Sequence, residues 1–193
     1  MYVEKRNFWG DWFFVFNVTV DRGIEKMKCV ALDESIDDKN RNIVLVDRYR
    51  FEDLWFKLGK REHVQNYNPE SGDKQANLAR CTKKDWLGCA KYGTAVQVFS
   101  DTENNPVPLA SFVSTSGVHC SRGCWVKTNG FGVDNLTRLI WLLANGAKEF
   151  PVVVNSYESA LIVHDLIGVK GSKVYTAKDL HKCAKVIPLT PIY

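Results

Sequence analysis

Hydrophobic and polar positions change their period along the chain, and each change marks an element. DWFFVFNVTV, MKCVAL and NIVLVD carry the β-branched and aromatic bias of strands, separated by the turn-like DRG and the polar DESIDDKNRN. These three strands are expected to form an antiparallel meander. In RYRFEDLWFKLG the apolar positions Phe51, Leu54, Trp55 and Leu58 recur at helical spacing, which predicts a helix ended by Gly59. KREHVQNYNPESGDKQ is polar and contains Pro and Gly, the pattern of a loop, and NLARCTKKDWLGCAKYG reads as a short basic helix closed by Gly93. TAVQVFS and VPLASFV read as strands joined by the turn DTENNP; GVHCSRGC follows as a loop and CWVKT as a short strand.

The C-terminal half is patterned more strongly. VDNLTRLIWLLANG places Leu136, Leu139, Ile140 and Leu143 on one helix face, with Asp134 as the expected N-cap and Gly146 near the end. FPVVV is a continuous apolar run of the kind buried on both faces of a sheet. The next helix opens at NSYE, where Asn155 can cap and Glu158 can reach back from the third position, and it stops at Gly168. Strand, helix, strand, helix in this order predicts an α/β (α+β) fold with a mixed sheet. The expected organisation is one domain: a β-rich N-terminal extension over residues 1–92, with a basic loop and helix segment, and a core over residues 93–193.

Charge adds a candidate surface. The chain of 193 residues has a formal charge of +4, and residues 57–91 alone hold eight basic against four acidic side chains. Lys60, Arg61, Lys83 and Lys84 in this segment suit an anionic partner, against the alternative of a merely solvated face. No signal peptide or membrane-spanning run is visible in the sequence, so a cytoplasmic protein without membrane insertion is expected. The six cysteines are scattered and read as reduced thiols. His119, Cys120 and Cys124 have a spacing that could supply three zinc ligands, but no second close pair completes the set and no zinc is expected. Two further groups admit a functional and a structural role. Glu158 and Asp165 share a helix face, and Trp9, Trp12, Phe13, Phe14 and Phe16 could be a base-stacking platform or core.

The stretch TNGFGVDNLTRLIWLLANGAKEFPVVV resembles the core motif of the ParB/sulfiredoxin-like fold, with Arg138 ahead of Trp141-Leu142-Leu143 and ANGAKEFPVVV as the following turn and strand. Within that fold the layout is most similar to plasmid fertility inhibition factors of the oncogenic-suppression type. The resemblance implies a nucleotide or phosphodiester site at the turn, with ATP and Mg²⁺ as candidate cofactors. It also implies a factor that restrains conjugative or T-DNA transfer through a type IV secretion system by acting on DNA, the relaxosome or the coupling protein. Thr137 stands where the motif has His, and the nucleophilic Cys of sulfiredoxin is missing from the turn, so sulfinic-acid repair is not expected. Chemically, Gly130 and Gly132 would let the backbone approach an anion, beside Thr128 and Asn129 in the same approach. Asp134 and Asn135 could hold a metal or water, and Thr137 and Arg138 could meet phosphate oxygens. Two functions therefore compete: inhibition by occupancy of DNA or a protein partner, and an ATPase or DNase in which Asp134 and Arg138 are catalytic.

Overall fold

The computed structural model describes residues 1–31, 41–60, 87, 90–115, 130–134 and 136–187. Strands β1 (Val3–Phe8), β2 (Asp11–Val20) and β3 (Gly23–Val30) form an antiparallel meander. Their alternation sends Phe14, Phe16, Val18, Val20 and Met27 to one buried face. The short strands β5 (Val107–Pro108) and β9 (Lys185–Val186) close the edges in parallel, giving the order β5-β3-β2-β1-β9. A second, mixed sheet has the order β4-β8-β6-β7, built from β4 (Asn42–Asp47), β6 (Ala110–Thr115), β7 (Gly130–Asp134) and β8 (Glu149–Val154). Strand β8 lies at its centre, antiparallel to β4 and parallel to β6, which accounts for its near-continuous apolar run.

Five helices are described: α1 (Arg48–Lys60), α2 (Ala90–Val98), α3 (Leu136–Ala144), α4 (Tyr157–Ile167) and α5 (Ala177–Cys183). Helices α1 and α4 pack on each other and on the second sheet, while α3 packs on α2 and β6. Leu139, Ile140, Trp141, Leu142 and Leu143 are all buried, so α3 runs through the core. It ends in a glycine cap. Gly146 has φ +81°, its N–H donates to the Leu143 carbonyl, and the Ala147 N–H donates to the Leu142 carbonyl. Asp21, in the β2–β3 turn, donates its N–H to the Asn145 carbonyl at 2.8 Å and so ties the first sheet to this cap.

The structure revises several elements expected from the pattern. NIVLVD does not extend the meander; as β4 it crosses to the second sheet and pairs with β8 from Asn42↔Val154 to Asp47↔Glu149. TAVQVFS is not a strand but belongs largely to α2, where Ala95 and, one residue past the helix end, Phe99 both face the core. Gly93 lies inside that helix instead of closing it, and α1 runs one residue past Gly59. The α4 cap is Ser156, whose Oγ accepts the Ser159 N–H, and not Asn155 one residue earlier. Position 92/93 falls within α2, and each sheet draws strands from both sides of it.

Candidate functional site

The approach to α3 is a strand, not a glycine turn. Gly130 through Asp134 pair antiparallel with Thr115 through Ser111 of β6, and α3 starts at Leu136. Gly130 and Gly132 therefore sit in a strand that ends the second sheet among the described residues. Asp134 ends β7, so the position before α3 falls to Asn135 and not to Asp134. Asn135, Thr128 and Asn129 lie outside the described residues. Thr137 and Arg138 are half-buried in the first turn of α3. Arg138 donates from Nη1 to the Leu109 carbonyl at 3.0 Å, between β5 and β6. Its guanidinium thus fastens the start of α3 to the point where the chain passes from the first sheet to the second.

Behind this junction lies a cluster that the sequence did not single out. The indole of Trp141 stacks on Phe99 with centroids 3.9 Å apart and planes inclined by 2°, and the Arg22 guanidinium lies 4.6 Å from the indole centroid. Arg22 also donates to Glu25 at 2.8 Å and to the Phe99 carbonyl at 2.9 Å, while Thr102 donates to the other Glu25 oxygen at 2.7 Å. Glu25 is buried, and these donors satisfy it.

The other face of the first sheet is charged. Arg6 and Lys26 both meet Glu4 and Glu103. Burial alone would raise the Glu103 carboxyl, but hydrogen bonds from Arg6 and Lys26 outweigh it and hold the group below its ordinary value. Lys28 is buried, with its ammonium 5.0–5.2 Å from the ring centres of Phe8, Trp9 and Phe13 and 3.3 Å from the Asn105 Oδ1. That burial lowers its pKa. The aromatic run therefore divides: Phe14 and Phe16 are core, whereas Trp9, at the hairpin tip, is exposed. The alternation in GIEKMKCV, which opposes Lys26 and Lys28 to Met27, was the available signal.

The remaining candidates do not converge on α3. Lys60 ends α1, and Arg61, Lys83 and Lys84 lie outside the described residues, as do His119, Cys120 and Cys124. Glu158 and Asp165 are both exposed on α4. Among the described residues no three His, Cys, Asp or Glu side chains form a group that could hold a metal ion. None of the described helices is long and apolar enough to cross a membrane. The thiol of Cys29 is pushed up to about 12 by burial, with the Arg41 charge opposing the rise.

These features define an α+β protein of two mixed sheets whose helix α3 is anchored through Arg138 and the Gly146 cap. The plasmid fertility inhibition factor family matches residues 43–168, well over half of the chain, and the protein belongs to that family. Protein osa of Shigella flexneri is 28% identical over 104 residues, which is 54% of this chain and about half, 51%, of that protein's length. The crystal structure of Oncogenic Suppression Activity Protein, a plasmid fertility inhibition factor solved as a gold(I) cyanide derivative, superposes with a TM-score of 0.61 at 22% identity. That likeness of fold covers 94% of this chain and 82% of the other.

Proposed function

We propose that this fertility inhibition factor blocks conjugative or T-DNA transfer through a type IV secretion system by occupancy. It would act in the donor cytoplasm, binding DNA, the relaxosome or the coupling protein without covalent chemistry. The observation that carries the preference is the engagement of Arg138. A guanidinium that donates to the Leu109 carbonyl serves the architecture of α3, and Thr137 replaces the motif's His beside it. The basic segment around Lys60, Arg61, Lys83 and Lys84 supplies the charge that an anionic partner requires. In the competing enzyme reading, the same junction would bind ATP or DNA phosphate with Mg²⁺; the free backbone N–H groups expected at the start of α3 favour it.

The test separates the two. Donor cells carrying a conjugative plasmid should transfer it less often when they express this chain. Purified protein should neither release phosphate from ATP nor nick plasmid DNA, with or without Mg²⁺. Inhibition accompanied by either activity, and lost with it in Arg138→Ala, would overturn occupancy in favour of catalysis.

A further inference from the structure

Helix α4 departs from the usual surface helix, which is apolar on one side only. Its inner side is accounted for, since Ala160, Val163 and Ile167 are buried where α4 packs on β4 and β6. Its outer side is apolar as well: Tyr157, Leu161 and Ile162 stay 45%, 48% and 38% exposed. Tyr157, Leu161 and Asp165 are spaced four residues apart and form one ridge; Glu158 and Ile162 form the next. Three apolar side chains are thus flanked by two exposed carboxylates.

The charge on this face is one-sided. YESALIVHDLI contains no Lys or Arg. Among the described residues, Arg50 of α1 reaches the end of the helix, where it donates to the backbone carbonyls of Asp165 and Gly168. His164 is engaged with Ser172 at 3.0 Å. Carboxylates beside an apolar stripe repel nucleic-acid phosphates and anionic lipid headgroups, and they attract ammonium and guanidinium groups.

We propose that the outer face of α4 is a docking surface for an amphipathic helix of a partner protein whose apolar stripe is flanked by Lys or Arg. The two ridges offer the groove between them to the partner's side chains, as in ridges-into-grooves packing. Glu158 and Asp165, seven residues apart, set its register. This inference rests on the occupancy reading above and names a protein, not DNA, as what this face holds. It is independent of the basic segment.

The experiment uses the full chain and a short amphipathic helical peptide made only of leucine and lysine as the probe. The peptide should shift the backbone amide resonances of residues 157–165. Leu161→Ser with Ile162→Ser, or Glu158→Lys with Asp165→Lys, should each weaken it by about tenfold or more, the loss expected of central interface residues. Both variants should remain folded, with cooperative melting at a midpoint no more than modestly below wild type, because the altered side chains lie on the exposed side of α4. Both should lose transfer inhibition in donor cells. Amide shifts elsewhere, no shifts, or full inhibition by both variants would overturn the proposal. So would a wild-type dimer in sedimentation that the Leu161→Ser, Ile162→Ser variant dissolves, since the face would then be covered by a second copy. Peptide binding at α4 by a chain that fails to inhibit transfer would sink the occupancy reading and leave this surface standing.

Discussion

Replacing Gly146 with alanine tests the joint between the two sheets. The residue has φ +81°, in the left-handed region, where an alanine costs roughly 1–2 kcal/mol. Its surroundings add a second penalty, because a Cβ placed there would lie 2.0 Å from Oδ1 of Asp21 and 2.3 Å from its Cγ. The Asp21 N–H is bonded to the Asn145 carbonyl, so the turn backbone is held and the carboxylate must move instead. Forcing a methyl group into so tight a space costs about 1–3 kcal/mol. The expected total for Gly146→Ala is roughly 2–5 kcal/mol. Gly171 provides the internal control. Its φ is +82°, but a Cβ there meets nothing within 4 Å, so Gly171→Ala should show the backbone penalty alone, about 1–2 kcal/mol. Urea melts of both variants, with unchanged m-values, measure the difference. Asp21→Ala should recover most of the excess in the Gly146→Ala background, as the coupling energy of a double-mutant cycle. Equal costs at the two glycines, or additivity with Asp21→Ala, would refute the packing of the β2–β3 turn against the α3 cap.

Arg138→Ala should lower stability by about 1–3 kcal/mol in the same melts, since it removes a charged donor from the Leu109 carbonyl in a half-buried site; no loss would free this side chain for a ligand. The Asp179 carboxyl is held down to about 2, first by the hydrogen bond from Lys173, with Thr176 adding to it. A depressed carboxyl stabilises the fold above its unfolded value of 3.8 and loses that contribution as pH falls through about 2. Acid melts of wild type should therefore lose stability over this window, while Asp179→Asn should show a shallower slope there. Thr176→Ala, which removes the capping hydroxyl of the same box, should cost about 1 kcal/mol at neutral pH. Reversing Lys60, Arg61, Lys83 and Lys84 should abolish transfer inhibition without unfolding the chain. If these residues bind DNA, the log–log salt slope should become shallower by about 0.9 for each phosphate they no longer neutralise; unchanged binding and inhibition would leave them a solvated face.

What the sequence disclosed follows physical locality. Helix α3 was legible because Leu139, Ile140 and Leu143 repeat at helical spacing and Gly146 follows; β8 was legible because FPVVV has no polar position. Strand β7 was not, since two glycines in GFGVD look like a turn until the edge of β6 pairs with them. TAVQVFS alternates like a strand, yet the stack of Phe99 on Trp141 of α3 rewards the helix that lines Ala95 up with Phe99. The transfer of NIVLVD to the second sheet depends on β8, a partner more than a hundred residues on, and no local pattern encodes it. At the α3 junction the residue types were visible, but the commitment of Arg138 to a backbone carbonyl was not. That bond depends on where Leu109 arrives in space.

The parallel pairing of β1 with β9 has a consequence for how the chain is made. Glu4 and Lys5 lie beside Lys185 and Val186, and the Ile187 N–H donates to the Lys5 carbonyl at 2.9 Å. A ribosome delivers the β1–β2–β3 meander long before β9, and its pairings are short in sequence, so it can form at once. The outer edge of β1 then waits for β9, roughly 8–30 s at about 5–20 residues per second. An open strand edge is a template for pairing with another nascent chain. Charged side chains on an edge strand guard against such pairing, and β1 carries Glu4, Lys5 and Arg6. The charges of β1 thus serve the edge before β9 arrives, as well as the finished sheet.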